Sequence, residues 1–179
     1  VTNNLDCNDN QIQYLDFDGD GFGSTTQVAC GVANNTDCDD NQVQYSDVDG
    51  DGFGSTTQVA CGVANNLDCD DNQIQYADTD GDGFGSTTQV ACGVTNNSDC
   101  DDNQIQYADT DGDGFGSTTQ VACGVANNSD CDDNQIQYAD ADGDGFGSTT
   151  QVACGVSNNS DCDDNQIQYF DGDGDGYGT

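Results

Sequence analysis

A period of thirty-one residues governs this chain. The block at residues 32–62, VANNTDCDDNQVQYSDVDGDGFGSTTQVACG, recurs with few changes from Val1, Val63, Val94 and Val125, and a further copy begins at Val156. The repeats are therefore 1–31, 32–62, 63–93, 94–124, 125–155 and an incomplete 156–179. Self-similarity at a fixed period predicts a linear array of small units packed on their neighbours, not one domain around one core.

Composition says what can hold such a unit together. Leu, Ile, Val and Phe number 28 of 179 residues, about 16%, below the ~20% under which a highly charged chain stays disordered. All 35 acids are Asp, and Lys, Arg and His are absent, so the formal charge is −35. A surface of that sign repels nucleic acid and anionic membranes and attracts cations. Without imidazole, amine or guanidinium, most catalytic mechanisms are excluded, and the chain is not expected to be an enzyme. No run of about 18 apolar residues offers a membrane span. The opening at Val1, with neither Met nor a signal-like segment, reads as a stretch of a longer, processed polypeptide.

Within each copy, residues 42–45 alternate polar and apolar, residues 56–60 favour β-structure, and a Gly-rich acidic turn separates them. The expected fold is mainly irregular and β: a linear, solenoid- or rod-like array of small repeats stabilised by calcium and disulfides, with little or no helix. A core of some six apolar side chains per unit is too small to offset the ordering of 31 residues, so ion binding is expected to be part of folding. The residues beside the first loop Asp vary freely. Leu15, Ser46, Ala77, Ala108, Ala139 and Phe170 precede it, and Phe17, Val48, Thr79, Thr110, Ala141 and Gly172 follow it. Both positions are expected to face solvent, since a tight core does not accept such exchanges.

The chemistry lies in Asp-x-Asp-Gly-Asp-Gly-(Phe/Tyr)-Gly. It stands at Asp16, Asp18, Asp20 and Phe22; Asp47, Asp49, Asp51 and Phe53; Asp78, Asp80, Asp82 and Phe84; Asp109, Asp111, Asp113 and Phe115; Asp140, Asp142, Asp144 and Phe146; and Asp171, Asp173, Asp175 and Tyr177. Carboxylates two apart line one side of a curled loop. The Gly after the third, Gly21 in the first copy, lets the next carbonyl turn inward. An all-oxygen set without His suits calcium better than zinc or copper, and magnesium dehydrates too reluctantly.

These residues resemble the first half of an EF-hand calcium loop, although the place of that family's Glu falls on Gln27. The whole chain is similar to the metal-binding MopE-type Asp/Cys repeats of bacterial extracellular proteins. Tyr45, Asp47, Asp49, Asp51, Phe53, Cys61, Asp68, Cys69, Asp70 and Asp71 carry that likeness. Thrombospondin type 3 repeats, calcium-threaded and joined by disulfides, are a looser parallel.

Each of copies two to six holds six Asp. One divalent ion leaves such a copy at −4 and two leave it at −2, so a second site, or a completion of the first, is expected at the Asp-Cys-Asp-Asp groups. These are Asp37, Asp39 and Asp40; Asp68, Asp70 and Asp71; Asp99, Asp101 and Asp102; Asp130, Asp132 and Asp133; and Asp161, Asp163 and Asp164. Spacing does not say whether they close their own loop or the preceding one.

Eleven Cys alternate at separations of 23 and 8, as disulfides in an oxidising compartment do, rather than as zinc-binding Cys-x-x-Cys clusters. Two tilings are open. One joins near neighbours such as Cys30 and Cys38; the other joins across the acidic loop, as Cys7 and Cys30. Closure entropy differs by only about 1 kcal/mol between them. The near-neighbour tiling is preferred because the enclosed Gly and Asn residues can turn tightly and because the similar bacterial repeats have a short linker there. The Cys left over is expected to pair in a neighbouring unit of a longer protein.

Asn34, Asn96, Asn127 and Asn158 begin Asn-x-Ser/Thr sequons, and Ser24, Thr25 and Thr26 with their copies are candidate O-glycan acceptors, although an ordinary Asn-rich turn is the simpler reading. Tyr14, Phe22 and their counterparts are read as anchors of a tiny core. Together these features predict an extracellular structural protein: a calcium-rigidified rod, stalk or fibre at a microbial surface, whose partners are calcium ions and further copies of the repeat. The alternatives are a metal-sequestering or mineral-nucleating acidic protein, and an adhesin.

Overall fold

The computed structural model describes residues 5–178. Among them there is no helix, and the strands are short. In the first three copies β1 (Gln13–Tyr14) pairs with β2 (Gln27–Val28), β3 (Gln44–Tyr45) with β4 (Gln58–Val59), and β5 (Gln75–Tyr76) with β6 (Gln89–Val90), all antiparallel. The next two copies reduce this pairing to the bridges Tyr107–Gln120 and Tyr138–Gln151. The strands are shorter than the alternation at 42–45 suggests, since residues 42 and 43 stay outside β3, with Gln42 N–H donating to Asp39 O in a turn.

The chain forms two compact units, residues 1–78 with 85–97, and residues 79–84 with 98–179. Inside each, the pattern is the same. In the first unit Tyr14 sits at the centre of a three-stranded patch, with Gln27 on one side and Val32 on the other. Its N–H donates to Val32 O at 2.8 Å and its carbonyl accepts from Val32 N at 3.0 Å. Val32 is the first residue of the following copy, so successive repeats interlock. In the second unit Tyr107 stands likewise between Gln120 and Val125.

No hydrophobic side chain is fully buried among the described residues. The six expected core residues per copy are at best half-buried, and the buried positions are glycines: Gly23, Gly54, Gly85, Gly116 and Gly147. A Cβ on Gly23 would lie 2.5 Å from Asn34 O and 2.9 Å from Tyr14 Cβ. The interior is thus a place where backbones meet.

The disulfides overturn the preferred tiling. Cys7–Cys30, Cys38–Cys61, Cys69–Cys92, Cys100–Cys123 and Cys131–Cys154 each span the acidic loop, with Cα atoms 5.1–5.3 Å apart, and Cys162 is free. The hairpin explains this, because Cys7 N–H donates to Ala29 O at 3.0 Å and brings residue 30 alongside. Residues 31–37 do not turn tightly back. They run past Tyr14 and on to Gly23, whose carbonyl accepts from Asp37 N at 3.1 Å.

The variable positions divide. Phe17, Val48, Thr79, Thr110, Ala141 and Gly172 are exposed as expected, whereas Ser46, Ala77, Ala108 and Ala139 are half-buried, contrary to expectation. Their main chain closes the hairpin base, Ser46 N–H to Thr57 O at 2.9 Å and Ser55 N–H to Ser46 O at 2.8 Å. That crossing covers the small side chains there, while the larger Leu15, with the same two bonds, is exposed, as is Phe170.

Candidate metal centre

Each loop is curled by its own carboxylates. Asp16 Oδ1 accepts from Gly19 N at 2.7 Å and Oδ2 from Gly21 N at 3.2 Å, Asp18 Oδ1 accepts from Asp20 N at 3.1 Å, and Asp20 Oδ1 from Phe22 N at 2.8 Å. Both glycines take positive φ, 81° and 90°, a region where a side chain is strained. The Gly21 requirement is anticipated by the motif; that at Gly19 is an addition. The same bonds recur at Asp47, Asp49 and Asp51 with Phe53, and at Asp109, Asp111 and Asp113 with Phe115. They recur again at Asp140, Asp142 and Asp144 with Phe146, and at Asp171, Asp173 and Asp175 with Tyr177. In the third loop Phe84 N–H donates to Asp82 and Asp82 N–H to Asp80.

The result is a set of three carboxylate oxygens, one each from Asp16, Asp18 and Asp20, within 4.8 Å of one another, a grouping able to hold a metal ion. It repeats at Asp47, Asp49 and Asp51, at Asp109, Asp111 and Asp113, and at Asp140, Asp142 and Asp144. Asp18 Oδ2 and Asp20 Oδ2 are shut off from solvent with no hydrogen-bond donor, as are Asp49, Asp51, Asp111, Asp113 and Asp142 Oδ2. Orphaned buried anionic oxygens are costly unless a cation or water meets them.

Electrostatics agree. Loss of hydration holds the Asp18 carboxyl above the usual carboxylate range; the Asp20 N–H opposes this, and the charges of Asp20, Asp16 and Asp40 add to it. Asp49, Asp111 and Asp142 are raised for the same first reason, with Asp68, Asp130 and Asp161 respectively among the charges acting on them.

The acids of the Asp-Cys-Asp-Asp group serve three different purposes. The first approaches the loop of the preceding copy: Asp37, Asp68, Asp130 and Asp161 each donate N–H to Gly23, Gly54, Gly116 and Gly147 O at 3.0–3.1 Å. Their Oδ2 atoms are also shut away without a donor, as is that of Asp99. The second stays in its own turn, with Asp39, Asp70, Asp101, Asp132 and Asp163 accepting from Asn41, Asn72, Asn103, Asn134 and Asn165 N–H at 3.3–3.4 Å. The third ties down the preceding loop's variable residue. Asp40 accepts from Phe17 N, Asp71 from Val48 N, Asp102 from Thr79 N, Asp133 from Thr110 N and Asp164 from Ala141 N, at 2.8–2.9 Å. Thr110 Oγ1 also donates to Asp133 at 2.7 Å, and the two Thr110 bonds, main chain first, hold the Asp133 carboxyl below its ordinary range.

Two supporting residues carry no charge and are not anticipated by the acid pattern. Asn34 Oδ1 accepts from Gly23 N at 3.1 Å while its Nδ2 donates to Gly21 O at 2.9 Å. Gln13 Oε1 accepts from Gly31 N at 2.8 Å. Both residues stand unchanged in all six copies, which is the signal available beforehand. Asn65, followed by Leu67 and so outside any sequon, makes the same pair of bonds to Gly54 and Gly52.

Comparison with known protein families, with characterised proteins and with solved structures finds no match for this chain. By its own pattern it is a tandem Asp/Cys repeat, with an Asp triplet and a disulfide in each of the first five copies. Five disulfides suit an oxidising compartment, and no helix among the described residues is long and apolar enough to cross a membrane.

Proposed function

We propose that the protein is an extracellular structural element in which calcium ions stiffen a tandem array into a rod, stalk or fibre at a microbial surface. The observation that carries this reading is the set of carboxylate oxygens enclosed without donors, repeated along a chain in which no hydrophobic side chain among the described residues is fully buried. With so little apolar burial, an ion that binds only the folded loop contributes directly to folding. The metal follows from ligand chemistry: Asp oxygens, with a loop carbonyl at Phe22 or its equivalent, are hard donors, and ten of the eleven thiols are committed to disulfides. The absence of Lys, Arg and His from the chain leaves few groups suited to acid–base or covalent catalysis, which supports a mechanical role.

The test is removal of the ion from the oxidised chain. Elemental analysis is expected to find calcium in near-integral ratio to loops. Chelation is expected to shorten the particle in small-angle scattering and change its circular dichroism, with recovery on adding Ca²⁺. A chain that keeps both signals after all divalent metal is stripped would falsify the reading.

A further inference from the structure

The carboxylate that finishes each cation site comes from the next copy. In the second unit Asp111 and Asp113 belong to the fourth loop, while Asp130 opens the acidic group of the fifth copy. The chain delivers Asp130 by a short series of bonds. Val125 pairs with Tyr107, Asn127 Oδ1 accepts from Gly116 N at 3.2 Å, Asn127 Nδ2 donates to Gly114 O at 3.0 Å, and Asp130 N donates to Gly116 O at 3.0 Å. Asp130 Oδ1 is then occupied by the N–H of Asp132 at 3.0 Å. Its Oδ2 remains enclosed without a donor, as do Asp111 Oδ2 and Asp113 Oδ2.

Enclosed anionic oxygens are unfavourable without a cation, and Asp130 stands near enough to Asp111 for its charge to act on that carboxyl. In the first unit the Oδ2 atoms of Asp18, Asp20 and Asp37, and those of Asp49, Asp51 and Asp68, are likewise enclosed without a donor. A site made by the loop alone would leave Asp130 Oδ2 stranded. The neighbouring acids are engaged elsewhere: Asp132 is exposed in its own turn, and Asp133 accepts from both Thr110 N and Thr110 Oγ1. Resting on the reading that these loops hold a divalent cation, we infer that each ion is a clamp between successive copies. Its carboxylate ligands are the Asp triplet of one loop together with the first Asp of the following Asp-Cys-Asp-Asp group. There is one ion per junction, not two per copy.

Double substitutions decide which loop Asp130 serves, with Ca²⁺ bound to the oxidised full chain counted by equilibrium dialysis. Asp113→Asn and Asp130→Asn are each expected to lose one ion. Combined, they still lose one, because they damage the same site, whereas Asp130→Asn with Asp144→Asn loses two. The reverse pattern, two ions from the first pair and one from the second, would assign Asp130 to its own copy's loop and overturn the inference. So would no loss from Asp130→Asn. If that variant sheds more than one ion, the unsubstituted chain decides: its Asp130 carboxyl carbon resonance is expected to titrate with Ca²⁺ in step with Asp111 and Asp113. Movement in step with Asp142 and Asp144 instead overturns the clamp. An unsubstituted chain that binds no Ca²⁺ defeats the proposed function itself, a result distinct from either pattern.

Discussion

The fifth and sixth acidic loops have nearly the same sequence and different surroundings. Both curl in the same way: Asp140 and Asp171 each accept from two glycine N–H groups, and Phe146 and Tyr177 N–H each reach the third Asp at 2.9 Å. The fifth is followed by Val156, which pairs with Tyr138, and by Asp161 and Asp164, which bond to Gly147 and Ala141. The sixth stops at Thr179. Tyr138 is half-buried where Tyr169 is 67% exposed, and Asp142 and Asp144 are half-buried where Asp173 and Asp175 are exposed. Loop shape is therefore local, encoded in Asp and Gly, whereas dehydration of the carboxylates is conferred by the segment that follows.

The largest break in this comparison is expected from the staple. Replacing Cys131 and Cys154 together by Ser opens a 24-residue ring around the fifth loop, a loss of roughly 3.5 kcal/mol by chain entropy. Hydrogen exchange is expected to speed up across 131–154 while the sixth loop, outside any disulfide, stays as it was. Next comes Asp144→Asn against Asp175→Asn. In the enclosed loop the substitution is expected to weaken Ca²⁺ by about 100-fold, ~2.7 kcal/mol. In the exposed loop a few-fold is expected, because water screens the charge there. Isothermal titration on the two variants reads the difference, and equal losses would mean that enclosure adds nothing.

Asp164→Ala removes the acceptor of the Ala141 N–H at 2.9 Å and is expected to cost about 1 kcal/mol. It should show as faster exchange of that amide alone. The smallest effect is with pH. Desolvation raises the Asp142 carboxyl, while the N–H groups of Gly176 and Gly174 lower that of Asp171. In the metal-free chain the folded form holds the Asp142 proton more tightly than the unfolded form does, so ionising it disfavours folding as pH rises through the raised value. Asp171 behaves oppositely: its contribution is present above the unfolded value, ~3.9, and lost as pH falls through its depressed one. A cation must displace the Asp142 proton, so acidification is expected to weaken the fifth loop's affinity at a higher pH than the sixth's, by less than tenfold. Carboxyl-carbon titrations of the two loops measure this directly.

Much of this organisation is readable from residues alone. The period gives the array, and the Asp-x-Asp-Gly-Asp-Gly run gives the curled loop, because its cause lies within eight residues. The disulfide tiling is not readable in the same way, since closing 9 or 24 residues differs by only about 1 kcal/mol and the deciding bond, Cys7 N–H to Ala29 O, belongs to a hairpin register. Nor does spacing reveal that Asp37 bonds back to Gly23 while Asp40 bonds to Phe17. Those pairings depend on the path of residues 31–37 past Tyr14. Counting charge points to a second site, or a completion of the first, at each Asp-Cys-Asp-Asp group, but does not reveal that its three acids have different hydrogen-bond partners.

The interlock of Tyr14 with Val32, and of Tyr45, Tyr76, Tyr107 and Tyr138 with the opening Val of the copy behind each, gives the array a direction. A chain threaded through a pore with its amino end leading would complete each station only after the next had begun to emerge. Maturation would then travel along the thread like a zip fastener, always one tooth behind the growing end.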